Sequence, residues 1–254
     1  MQLHLSTWAE VETYLKRSTG IIIPIGSTEQ HGPNGLIGTD AICAEVFARE
    51  VGRAADALVG PTINVGMAQH HLGFPGSMTL RPSTLIAVIR DMVASLSRHG
   101  FDRFFFLNGH GGNIATATAA FSEIYAEASL APPNPQSGGH NVPSLRCTIR
   151  NWWEAPSAKR LSGSLFPGEE GSHATPSEVS VTYHAYPEAV KTVEMTPRVA
   201  PHGGFTDAAD YRGRFPDGRI GSNPALATAA HGKTILEAVV PELAESYKAF
   251  VAAA

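Results

Sequence analysis

Glu29 and His31 stand two residues apart in Ser27-Thr28-Glu29-Gln30-His31-Gly32-Pro33, and Asp40 follows in Gly38-Thr39-Asp40. In an extended segment, side chains at i and i+2 point to the same face, so this carboxylate and imidazole can converge on one point. The Gly/Pro turn beyond them lets Asp40 come back to it. Oxygen and imidazole donors gathered in this way suit a divalent cation. Upstream, the Ile-rich run from Gly20 to Gly26 reads as a buried strand that presents the cluster beyond its carboxyl end.

The stretch Phe104-Phe105-Phe106-Leu107-Asn108-Gly109-His110-Gly111-Gly112-Asn113 repeats the arrangement: an apolar strand, a glycine turn with one histidine, then a helix. Ligands of open α/β sheets bind outside the carboxyl ends of the strands. His110 is therefore expected to share one crevice with Glu29, His31 and Asp40. Asn108 reads as a brace for the turn, and the N–H groups of Gly111 to Asn113 open a helix that can hold an anionic group or substrate. A third stretch, Gly168-Glu169-Glu170-Gly171-Ser172-His173-Ala174-Thr175-Pro176-Ser177-Glu178, sets His173 in a turn and Glu178 in the first turn of a helix. Helix starts favour acidic residues for dipole reasons too, so Glu178 has a structural reading beside its ligand reading. In His70-His71, neighbouring side chains of an extended chain point opposite ways, which leaves at most one for the crevice, as substrate contact or packing. Pro75-Gly76-Ser77 is expected to shape a substrate loop. Trp152 and Trp153 are candidate pocket walls, although core packing is the commoner fate of tryptophan.

Alternating strand and helix patterns must carry these turns. Ser6 or Thr7 caps a helix from about Trp8 to Arg17, Ile21 to Ile25 is the first strand, and a helix follows Asp40. Ala57–Val59 and Thr62–Val65 read as strand material. Pro82 opens a helix stopped by Gly100, Phe101 to Leu107 is the second strong strand, and a helix begins at Asn113. Leu145 to Ile149 continues the sheet beyond a loop at 131–139. Residues 202–224, rich in glycine and turn formers, read as a lid or subunit-contact segment. The last helix runs from about Ala225 to Ala252, broken near Pro241. The fold class is α/β: one domain over 1–254, its sheet mostly parallel with helices on both faces.

A 254-residue chain with 43% hydrophobic and 17% charged residues buries a full core. A net charge of −4 gives no basic footprint for nucleic acid. Two cysteines, Cys43 and Cys147, make no disulfide framework, and Cys43 reads as a packed thiol. The opening residues lack a signal-peptide pattern and no run suits a membrane span, so a cytoplasmic protein is expected. No nucleophile elbow, P-loop or dinucleotide fingerprint is present.

The motifs GSTEQHGPNGLIGTD, HLGFPGSMTL, FFFLNGHGGN and GSHATPSE, in this order, resemble those of the creatininase (creatinine amidohydrolase) family. The resemblance implies two divalent ions (zinc, manganese or iron), with Glu29 and His110 on one, His31 on the other and Asp40 bridging. In creatininase itself a glutamate stands where this chain has Gly112, and a tyrosine where it has Gly111. The replacement ligand is then Glu178, as in the Gly-Gly-Asn branch of formamide deformylase and mycofactocin-type peptidase relatives, with Glu170 as the fallback. Two ions sharing a carboxylate lower the pKa of a water between them, giving hydroxide to attack an amide carbonyl. His173, by position and resemblance, would protonate the leaving nitrogen, with Glu170 or Glu178 orienting it or shuttling protons. Gly111, Gly112, Ser77, Trp152 and Trp153 would meet the substrate, a small cyclic amide, formamide or peptide. Family members are commonly homo-oligomers, often hexamers. The competing reading is a non-catalytic metal or small-ligand binding subunit on the same scaffold.

Overall fold

In the computed structural model, which describes residues 1–131 and 145–253, the strands are β1 (Gly20–Ile25), β2 (Leu58–Val59), β3 (Arg103–Asn108) and β4 (Arg146–Asn151). They pair in the order β2-β1-β3-β4, and every pairing is parallel. The 131–139 loop expectation falls, beyond Ala131, outside the described residues. All of β1 is buried, as is β3 from Phe104 onward, because helices cover both faces of the sheet. Ile21, Ile23, Ile25, Phe104 and Phe106 pack toward α1 (Trp8–Leu15), α3 (Pro82–Ser97) and α4 (Asn113–Leu130). Ile22, Phe105 and Leu107 pack toward α2 (Thr39–Ala54), α5 (Pro156–Leu165), α6 (Pro176–Ala185) and α8 (Ala229–Ala252). Burial on both faces is why these strands read as unbroken apolar runs.

Several expectations are corrected. Residues 62–65 form no strand; Ile63 alone bridges to Ile25, and Pro61 before it has no N–H to extend a ladder. The last helix starts at Ala229, after a 3-10 turn at Pro224–Leu226, and runs unbroken through Pro241, whose ring lies on the exposed side. The 202–224 segment is more ordered than its composition suggests. Asp207 caps α7 (Ala208–Arg214) by accepting the N–H groups of Ala209 and Asp210. The fully buried Arg219 guanidinium donates to Asp217 and to the carbonyls of Pro197, Arg198 and Ser222. These bonds strap the segment across the carboxyl end of the sheet.

The start of α2 is wedged between the ends of β1 and β3, which fixes where Asp40 lies. A Cβ on Gly26 would fall 2.4 Å from the Ala41 nitrogen, and one on Gly109 would fall 2.0 Å from the Asp40 carbonyl oxygen. The Gly109 N–H also donates to Ile25 O at 2.8 Å, tying the two strand ends together. Only glycine admits this approach. Gly109→Ala should lower the unfolding free energy by about 1–3 kcal/mol, the range for forced overpacking, measured by urea denaturation; an unchanged midpoint would show that α2 can retreat freely.

Candidate metal centre

Three turns meet beyond the strand ends. Glu29 and His31 come from the turn after β1, Asp40 from the first turn of α2, and His110 from the turn after β3. Glu29, His31, Asp40 and His110 are all buried. Asp40 Oδ1 lies 3.1 Å from His31 Nε2, and Asp40 Oδ2 lies 2.9 Å from His110 Nδ1. One carboxylate therefore faces two imidazoles through separate oxygens. Glu29 Oε2 lies 3.3 Å from His110 Nε2 and accepts a 2.8 Å bond from the Ser27 hydroxyl. Asn108 braces the His110 turn by donating to His110 O and accepting from the His110 N–H.

The far side of each ring shows what the near side offers. His31 Nδ1–H donates to Glu29 O at 3.1 Å, and His110 Nε2–H donates to Met67 O at 3.1 Å. In the neutral rings this leaves His31 Nε2 and His110 Nδ1 as lone pairs directed at Asp40. Acceptor thus faces acceptor at about hydrogen-bond distance, and Asp40 Oδ2 and Glu29 Oε1 are buried without an aligned hydrogen bond. A buried arrangement of this kind needs positive charge between its members. Carboxylate and imidazole donors, each ring held by a backbone carbonyl behind it, fit divalent cations. Glu29, His31 and Asp40 offer ligand atoms within 4.8 Å of one another, as do Glu29, His71 and His173.

Charge is distributed accordingly. Burial alone would lower His31, but Asp40 and Glu178 outweigh it and hold its pKa at about 10. His110 is likewise carried past the burial effect by Glu29 and Asp40, to about 9. Burial would raise Asp40, yet His31 and His110 hold it well below the usual carboxylate range. Glu29 is also lowered, His110 being the chief influence against burial. Burial pushes Glu178 up to about 7. His173 is lowered well below its ordinary value by burial and then by His71 and His31, which keeps it neutral near pH 7.

Glu178 caps a helix and also approaches the cluster. Its Oε1 takes the Thr175 N–H at 2.5 Å, completing a capping box on α6, and lies 3.8 Å from His31 Nε2. The buried thiol of Cys43 packs against the Glu178 carbonyl, as a core cysteine would. His173 stacks between His31 and His71, with ring centroids 4.6 and 4.4 Å away, and its Nδ1 lies 3.9 Å from Glu29 Oε1. The residue after it, Ala174, has a positive φ of 53°. Glu170 accepts from the Ser177 hydroxyl, and burial raises its pKa. The Nε2 of His173 instead faces Gln30.

A cleft of about 420 Å3 opens beside the cluster, lined by Asp40, His110, His173, Glu178, Gly111 and Glu170, with Trp152 and Trp153 as walls. Trp153 is half-buried, whereas Trp152 is anchored in the core by stacking on Phe47 at 4.9 Å. Two substrate-contact expectations do not fit. Ser77 does not line the cleft; its hydroxyl accepts the Gln30 N–H. Gly112 lies behind the His110 ring, where a Cβ would fall 2.4 Å from His110 Nε2 and 2.5 Å from Met67 O. For His70-His71 the extended-backbone premise fails, while the outcome of at most one ring turned to the cluster is not contradicted. The pair sits on a 3-10 turn, Gln69–His71, not in extended chain, and both rings are buried. His71 Nε2 lies 3.0 Å from Glu29 Oε1. The Gly66-x-x-x-His70-His71 pattern before Gly73 was the available signal for a turn.

A family model described as "Creatinine amidohydrolase" matches residues 4–247. The chain belongs to the creatininase family. It is 28% identical to the mycofactocin precursor peptide peptidase of Mycolicibacterium smegmatis, covering 90% of this chain and 84% of that one. It is 24% identical to the creatinine amidohydrolase of Pseudomonas putida, covering 95% and 94%. A solved structure titled creatininase Mn superposes with a TM-score of 0.82 over 99% of both chains at 23% identity, a likeness of fold. Among the described residues no helix is long and apolar enough to cross a membrane.

Loading a cation must displace the protons on His31 and His110. Zinc uptake at neutral pH is therefore expected to release protons and to tighten as pH rises toward about 9 to 10. The zinc-free chain should show the opposite trend. Both imidazoles are raised above 6.5, so the stability they contribute is full below that value and is lost as pH climbs through about 9 and 10. Calorimetry in buffers of different ionisation enthalpy measures the release, and uptake without it would contradict these protonation states.

Proposed function

We propose that this protein is a divalent-metal-dependent hydrolase that cleaves the C–N bond of a small cyclic amide, formamide or peptide. The observation that carries the reading is Asp40, whose two oxygens each face a different outward-backed imidazole. Glu29, Asp40 and His110 would hold one ion, and His31, Asp40 and Glu178 a second. The ions, when bound, would supply Lewis acidity and a water of lowered pKa.

The chain's own groups would do the rest. His173, neutral and with Nδ1 turned toward the Glu29 carboxylate, can take a proton from the nucleophile and return it to the departing nitrogen. Glu170 is a buried carboxyl on the cleft wall held by Ser177, and burial raises its affinity for a proton. Trp152 and Trp153 would exclude water from one side and present flat apolar surface to a planar amide. Gly111, with no side chain at the mouth, leaves room above His110.

Screening formamides, lactams and short peptides with zinc, manganese and iron supplied separately should reveal amine release with at least one metal. Absence of turnover on all of them, with metal fully bound, would favour the binding-subunit reading. His173→Ala should retain metal while losing activity by about a hundredfold or more; loss of metal would make it a ligand. Glu178→Gln should deplete metal, whereas full occupancy would move that ligand role to Glu170 or water.

A further inference from the structure

The two backbone bonds of the Gln30 side chain decide which way its amide points. Its Oε1 accepts the Gly32 N–H at 2.8 Å, and its Nε2 donates to Gly218 O at 2.9 Å. An N–H can face only the oxygen and a carbonyl can face only the nitrogen, so the amide is locked against a flip. The same Nε2 lies 2.9 Å from His71 Nδ1. That nitrogen offers only hydrogens. His71 Nδ1 must therefore be an acceptor, and the ring proton must sit on Nε2, 3.0 Å from Glu29 Oε1.

The contrast with His31 and His110 is direct. Those rings have an acceptor behind them, so in the neutral form that binds a cation they turn a lone pair toward Asp40. His71 has a donor behind it and turns a proton toward Glu29. Binding a cation through Nε2 would move the proton to Nδ1, against the Gln30 amide. The Gln30 main chain acts on His173 as well. His173 Nε2 lies 2.9 Å from both the Gln30 amide nitrogen and Gln30 O; the backbone oxygen can only accept, so the His173 proton goes to it, and the amide hydrogen not used on Gly218 O is left for His71. His173 Nδ1 is left bare, on the side of Glu29.

We infer that Gln30 is a positioning residue that fixes the tautomers of His71 and His173, so that His71 turns an N–H and not a lone pair toward Glu29 and is not a metal ligand. The cluster Glu29, His71 and His173, although its atoms lie close enough for an ion, is then a proton-bearing support for the ligand carboxylate. Such groups orient a ligand and tune its charge without touching the ion. The inference rests on Glu29 being a ligand, but its signature is in the rings themselves.

The test is long-range 1H–15N correlation on histidine-labelled full-length protein, before and after zinc addition, with signals assigned by their loss in His71→Gln and His173→Gln. His71 should carry its proton on Nε2 and a bare Nδ1 under both conditions, and His173 should carry its proton on Nε2. Gln30→Met, which keeps the length but removes the donor, should abolish the single-tautomer signature of His71. His71→Gln should bind as many zinc ions as the parent, whereas His31→Gln should lose them. A proton on His71 Nδ1, a zinc-bound His71 Nε2, or one zinc fewer in His71→Gln would overturn the inference. Should Gln30→Met fail to fold, the parent spectrum and the His71→Gln zinc count still decide. If no zinc binds at all, the metal reading falls, while the zinc-free spectrum still judges the tautomers.

Discussion

Two carboxylates, Glu29 and Asp40, are withdrawn from water and ringed by four imidazoles, and much of the architecture follows from having to compensate them. An ion taken out of water costs several kcal/mol even after relaxation, so the chain must supply positive charge at close range. It does so in two ways. The rings of His31 and His110 carry the balancing protons, and the amino end of α2, with its partial positive charge, starts at Thr39 beside Asp40.

The scaffold makes that compensation geometrically possible. Parallel strands end side by side, and glycines at 26 and 109 let a helix start press against both ends. The third contributor, the His173 turn, is held from the opposite direction by the strap around Arg219. Ser222 donates to His173 O at 2.7 Å, and Ile220 bridges to His173. The cluster is thus clamped between the sheet, whose ends set Glu29, His31, Asp40 and His110, and the strap, which sets His173.

Much of this was legible in the sequence. The spacing of Glu29 and His31, the repeated strand-glycine-histidine pattern at His110, and the alternation of elements carried the fold class and the central donors, because strand burial and period leave a strong local imprint. The role of Gln30 left none, since its partners His71, His173 and Gly218 are distant in the chain. The approach of His71 to Glu29 was not legible either, because a 3-10 turn, fixed by tertiary packing, replaces the extended backbone that the pairwise rule assumes. Residues 202–224 looked shapeless because their order comes from one buried guanidinium that composition does not reveal. Glu178 was balanced between cap and ligand, and the coordinates show one oxygen near both jobs.

Ala174, immediately after His173, holds a left-handed backbone that costs an alanine about 1–2 kcal/mol. A glycine there would relax the chain. By narrowing the angles open to its own backbone, the methyl also narrows the directions in which the adjacent imidazole can lean, so local strain is exchanged for a fixed bearing of the ring.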